Sequence, residues 1–128
     1  MMNDEVPRSR AAEKYDLRER TKAFAIRVVR LYCSLPNTTE AQVLGKQVLR
    51  SGAAVGAQHR EAFRARSSAE FVSKIEAALQ ELEETAYWFE LLIEVGIVRQ
   101  ARLASLHQEA NELAAILVSS VKTVKKRQ

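Results

Sequence analysis

The stretch SSAEFVSKIEAALQELEETAYWFELLIEVG, residues 67–96, decides the fold. Within it Phe71, Ile75, Ala78, Leu82, Thr85, Phe89 and Leu92 recur at alternating spacings of four and three, the period of one helix face. Val72, Leu79, Ala86 and Ile93 form a second stripe beside the first, each seven residues from the next. A helix that carries two adjoining apolar stripes must bury both, so it needs at least two neighbours, as in a bundle. Ser67 with Glu70 is a capping box that starts this helix at Ser68. Gly96 suits the position just past its end, where the left-handed conformation costs other residues more. On the opposite side Glu76, Glu83 and Glu90 make an acidic ridge, with Tyr87 pointing toward it and Glu94 nearby.

Working outward, the same period appears on both sides. Leu17, Thr21, Phe24, Val28, Leu31 and Leu35 define a first helix, which Pro36 ends because it disfavours helical geometry at Leu35 and has no N–H to donate. Asn37 with Glu40, or Thr39 with Gln42, offers a cap for the second helix. The second seam runs Leu44, Val48, Ser51, Val55, Gln58, Ala62, Ala65. From Ser51 to Ala57 every residue but Val55 is Ser, Gly or Ala. Gly52 and Gly56 each cost about 1 kcal/mol against Ala in a helix interior, so a close approach of neighbouring backbone or bulky side chains is expected there. At Gln58 a hydrogen-bonded buried amide that fixes register is one reading, and a ligand contact is the other. The fourth helix carries Leu103, Leu106, Ala110, Leu113, Leu117, Val121 and Val124, then runs into Lys122, Lys125, Lys126 and Arg127. Helices of roughly 20 to 27 residues, about 30 to 40 Å long, joined by short turns, give an all-α, antiparallel up-down-up-down four-helix bundle. It is expected over residues 14–128, with residues 1–13 a mobile N-terminal arm.

Composition narrows the function classes. The chain has 128 residues, 47% hydrophobic and 28% charged, which suits one folded domain. Only four Gly and two Pro occur, too little turn punctuation for a many-stranded β fold. Uncharged runs such as Ser51–His59 and Leu113–Val121 fall far short of the ~20 residues of a membrane span, and no apolar stretch follows Met1. No membrane partner is expected, and the expected location is the cytoplasm, with which the single Cys33 agrees. The net charge is +4, yet residues 67–98 carry seven acids against one base while every flanking segment is basic. Such a split serves complementary pairing within or between subunits, and it also leaves basic surface for an anionic partner.

The chain carries little chemistry for catalysis. A diiron bundle needs Glu-x-x-His pairs, but Gly56 stands three before His59 and Ala104 three before His107. One Cys and two distant His make no zinc site. His59 and His107 read as surface or capping polar residues. The only aspartates are Asp4 and Asp16, and no Gly-rich phosphate loop occurs. Glu61, Glu81 and Glu84 could meet across the second and third helices and share Arg60 or Arg64, where ion pairing explains them without acid–base work. No catalytic residue, cofactor or metal is therefore expected.

The segments LGKQVLRSGAAVGAQHREA (44–62) and RSSAEFVSKIEAALQELEETAYWFELL (66–92) closely resemble the bacterial four-helix-bundle family associated with intervening sequences of large-subunit ribosomal RNA. The resemblance spans nearly the whole chain apart from the arm. Of the family's Ser-Val-Gly-Ala-Asn-x-x-Glu core, Val55, Gly56, Ala57 and Glu61 match, whereas Ala54 and Gln58 replace the usual Ser and Asn. It implies a homopentameric ring and kinship in fold with the accessory variability protein of diversity-generating retroelements, which acts with a reverse transcriptase and nucleic acid. No enzyme activity is attached to the family.

Two readings of function follow. The first is a non-enzymatic homo-oligomeric module that binds nucleic acid, structured RNA before DNA, through Arg60, Arg64 and Arg66 late in the second helix and Lys122, Lys125, Lys126 and Arg127 at the C-terminus. The second is a structural or protein-interaction scaffold whose charges only build the assembly. In both, Glu76, Glu83, Tyr87, Trp88 and Glu90 are the expected oligomer interface, aromatics inside a charged rim, with the edge of the subunit's own core as the other place for Trp88.

Overall fold

The seams fold as four helices, α1 (Arg10–Cys33), α2 (Thr39–Ala62), α3 (Ser68–Glu94) and α4 (Gln100–Lys126). The computed structural model describes the backbone of residues 10–127 and the side chains of residues 16–127. Residues 10–13, assigned to the arm from sequence, are helical backbone, and the rest of that expected arm, residues 1–9, lies outside the described residues.

Side-chain pairs fix the topology. Arg20 meets Glu109, Arg27 meets Ser105 and Ser34 meets Arg102, so α1 and α4 run antiparallel. Arg50 reaches Glu81 and Glu84 while Glu61 pairs with Lys74, which sets α2 against α3 in the same sense. The His107 ring lies 6.0 Å from Phe89 and Lys125 lies 3.6 Å from Glu76, closing α3 onto α4. Each helix thus packs on two others in an up-down-up-down bundle, closest between α2 and α3 and loosest between α1 and α4.

Every seam residue of α1 and of α4 is buried. On α3 the first stripe is buried from Ile75 to Leu92 and Phe71 is half-buried, while the second is buried at Val72 and half-buried at Leu79, Ala86 and Ile93. Phe24, Phe89, Leu92, Leu113 and Leu117 are fully enclosed, and each such side chain contributes about 1.5–3 kcal/mol relative to an exposed position. Three buried hydroxyls interrupt this apolar core without cost in unpaired groups, and the first, Thr21 Oγ1, donates to the Arg18 carbonyl at 3.2 Å. Thr85 Oγ1 donates to Ser51 Oγ at 2.8 Å, and Ser51 Oγ donates to the Gln47 carbonyl at 2.8 Å.

The second helix departs from its expected seam. Val48, Ser51, Val55 and Ala62 are buried as expected, but Leu44, Gln58 and Ala65 are half-buried, and the buried face extends instead to Gly45, Gly52, Gly56 and His59. The cause is α1. A Cβ on Gly52 would stand 2.8 Å from Val28 Cγ2, one on Gly56 would stand 3.2 Å from Thr21 Oγ1, and one on Gly45 would stand 2.6 Å from Leu35 Cδ1. The glycines let α1 come close and turn His59 inward, where its ring lies 4.9 Å from that of Phe63. His59 is thus 1% exposed and not a surface residue, and His107 is half-buried. Gln58 does not supply the expected fully bonded amide, since its Oε1 accepts no hydrogen bond from the described residues.

Helix ends follow local chemistry. Thr38 caps α2, its hydroxyl accepting from Ala41 N at 3.3 Å, in place of the expected Asn37 or Thr39. Gln42 is occupied elsewhere, accepting from the Tyr32 hydroxyl and donating to the Pro36 carbonyl, and so holds the first turn closed. Ser67 Oγ accepts from Glu70 N at 3.1 Å as the capping box requires. Gly96 takes φ +80, and the N–H groups of Gly96 and Ile97 return to the carbonyls of Ile93 and Leu92, the bonds that close α3.

Candidate nucleic-acid interface

In an up-down-up-down bundle the start of α1, the end of α2, the start of α3 and the end of α4 share one end. That end collects the basic residues singled out from sequence. Arg66 and Arg127 line one cleft at the α2–α3 turn, together with Phe63, Phe71 and Val124. Arg60 and Arg64 line a groove between α1 and α2 with Lys22, over a floor of Ala25, Ala53 and Gly56. A smaller recess joins Arg18, Arg60 and Arg64 around Phe63. Lys122 and Lys126 are exposed on the last turns of α4 but line none of these recesses. Lys125 is engaged by Glu76, though both groups are more than half exposed and such a pair contributes about 0–1 kcal/mol. Among the described residues Arg60, Arg64, Arg66, Lys122, Lys126 and Arg127 form no ion pair, and all are exposed, so their charge is available to a partner.

Of the three glutamates expected to meet Arg60 or Arg64, only Glu61 lies in their groove, and each of the three pairs with a cation other than these two. Glu81 and Glu84 pair with Arg50, not with Arg60 or Arg64, because the antiparallel register sets Arg50 opposite them. Glu61 is 2.8 Å from Lys74, which raises the Lys74 pKa through that hydrogen bond first and its charge second. Arg20 is likewise held above its ordinary pKa, chiefly by its hydrogen bond to Glu109, and joins α1 to α4.

The α3 residues divide. Trp88 turns inward, packs against the core and donates its indole N–H to Glu84 at 3.3 Å. Tyr87 points out at 54% exposure, its ring 5.1 Å from that of Trp88. Glu83 and Glu90 are exposed beside it, and Glu76 faces Lys125. Sequence reasoning missed Arg18 and Lys22, spaced by four on α1, and the Phe63–Phe71 pair that brackets the turn. A scan for aromatics beside basic residues on both sides of the Ser67 cap would have found the two rings, whereas only the packing of α1 on α2 brings Arg18 and Lys22 to Arg60 and Arg64.

No helix of the described residues is long and apolar enough to cross a membrane, and none of their His, Cys, Asp or Glu side chains cluster to hold a metal. The model of the 23S rRNA-intervening sequence protein family matches residues 13–119, most of the chain. The chain belongs to that family. Its fold is similar to a crystal structure of a protein with unknown function from the S23 ribosomal protein family of Bacteroides thetaiotaomicron, with a TM-score of 0.80 at 38% identity. The match covers 85% of this chain and 97% of that one. No curated protein matches the chain.

Proposed function

We propose that this family member is a non-enzymatic, homo-oligomeric helical module of the cytoplasm that binds structured RNA through the basic end of its bundle. One observation carries the reading: Arg60, Arg64, Arg66, Lys122, Lys125, Lys126 and Arg127 converge on one end, exposed and, but for Lys125, without ion pairs among the described residues. Unpaired guanidinium and ammonium groups on a rigid end match phosphates spaced along a folded RNA, and such contacts release counterions. The family's name, which refers to an intervening sequence of 23S rRNA, points to RNA in preference to DNA. Self-association draws on the exposed Tyr87 between Glu83 and Glu90, an aromatic within a charged rim that a basic neighbour would cover.

The test is a salt titration of binding to a labelled RNA hairpin, with a DNA hairpin beside it. Binding at about 50 mM salt that weakens by orders of magnitude toward 200 mM is expected of several phosphate contacts. No binding of either hairpin at the lower salt overturns the reading. The scaffold alternative then predicts that reversing Glu83 and Glu90 dissolves the assembly while neutralising Lys122, Lys126 and Arg127 changes nothing.

A further inference from the structure

A recess of about 70 Å³ at the basic end is lined by Arg18, Arg60 and Arg64, with His59 and Phe63 as its wall. The close approach of α1 to α2 gathers the three guanidinium groups. At Gly56 the helices come near enough that an added Cβ would stand 3.2 Å from Thr21 Oγ1. Arg18 precedes Thr21 by about one turn and Arg60 follows Gly56 by about one turn, so the antiparallel pair sets them level with each other across a narrow gap. Arg64 stands one turn further along the same face of α2. Among the described residues none of the three forms an ion pair. Glu61 lines the adjoining groove with Arg60 and Arg64, but Lys74 holds it at 2.8 Å. Asp16 lines the cleft between α1 and α4 and not this recess. Like charges gathered in this way repel one another, and an anion seated among them relieves the repulsion.

Size and charge choose the anion. The volume is about that of two waters at ~30 Å³ each, room for a phosphate group but not for a base. A phosphate within an RNA chain is a diester, with one charge, two free oxygens and the chain leaving on both sides, which suits an open surface. A phosphate at a chain end is a monoester. It has three free oxygens, a charge of about −1.5 to −2 near pH 7, and the chain leaving on one side only. Arginine forks grip phosphate oxygens through paired N–H···O bonds, so three of them around a small recess match the monoester better than the diester. We propose that this recess holds a terminal phosphate of the bound RNA, with Arg18, Arg60 and Arg64 as its ligands. The inference rests on the RNA-binding reading above, and it adds to that site a chain end and a residue of α1. His59 and Phe63 pack against each other with ring centroids 4.9 Å apart, and they serve only as the wall behind the arginines.

The experiment compares one hairpin RNA, labelled in its loop, in three forms: with hydroxyls at both ends, with a 5′-phosphate, or with a 3′-phosphate. Affinities are read by fluorescence anisotropy at fixed salt. The wild-type chain is expected to bind a phosphorylated form about tenfold more tightly than the hydroxyl form, the gain of one added hydrogen bond between charged groups. Arg18→Gln is expected to bring that ratio close to one. Lys126→Gln removes the same charge outside the recess, so it is expected to weaken all three forms alike and keep the ratio. Equal affinity of the wild-type chain for the three forms overturns the inference and leaves the RNA-binding reading standing, and this outcome needs no variant to fold. If calorimetry then shows inorganic phosphate binding to the same chain, the recess belongs to the free ion and not to an RNA end. A ratio that survives Arg18→Gln, or that Lys126→Gln lowers as far, also overturns the inference. No binding of any form overturns the RNA-binding reading itself.

Discussion

At the scale of single residues, the contact between Gly52 and Val28 sets how closely α1 approaches α2. A Cβ at position 52 would meet Val28 Cγ2 at 2.8 Å, a separation that real contacts avoid. Gly52→Leu is therefore expected to destabilise the subunit by about 1–3 kcal/mol or more through overpacking, read as a lower urea midpoint at unchanged m-value. The two aromatics of α3 separate in the same way. Trp88→Ala is expected to lower subunit stability, by less than the ~3–5 kcal/mol of a fully buried aromatic, because the ring is only half-buried. Tyr87→Ala is expected to leave the helicity at low temperature unchanged and to reduce the mass seen by light scattering. An unchanged mass removes Tyr87 from the oligomer contact. His59 shows why residue type is a weak guide here: a polar side chain follows a stripe of glycines inward, and no periodicity of large apolar residues announces that face.

At the scale of elements, legibility followed side-chain size. The large residues of α1, α3 and α4 mark their buried faces directly, and Leu17 through Leu35 and Leu103 through Val124 are buried where the spacing puts them. Helix α2 is the exception, since Ser, Gly and Ala look alike on any face and its burial is set by the approach of α1. Capping divides along the same line. Ser67 was readable because Glu70 completes its motif, whereas Thr38 has Ala41 three residues on and no such signature. Thr38→Ala is expected to cost about 0.5–2 kcal/mol in thermal or chemical denaturation, while Asn37→Ala and Thr39→Ala are expected to cost much less. Gly96→Ala is expected to cost about 1–2 kcal/mol because the residue sits at φ +80. The ion pairs were the least legible feature. Spacing along a chain says which glutamates share a face of α3, but only the register between helices assigns Arg50 to Glu81 and Glu84 and leaves Arg60 and Arg64 without them.

At the scale of the whole molecule, topology turns a scattered set of basic residues into one surface. Arg60 and Arg127 are far apart in sequence, and the alternation of helix direction brings their helix ends together. A helix of 27 residues such as α3 is about 40 Å long at ~1.5 Å per residue, several times the ~8 Å screening length at physiological salt. Charges at one end are therefore invisible to a phosphate at the other, and net charge can be told apart from a located site. The most direct measurement is the affinity of a hairpin RNA for two double-reversal variants matched in net charge, Arg66→Glu with Arg127→Glu at the basic end, and Lys46→Glu with Arg99→Glu toward the other. Binding lost in the first and kept in the second is the predicted result, with circular dichroism showing both folded. Equal weakening in the two, or none in the first, would contradict an RNA site at this end of the bundle.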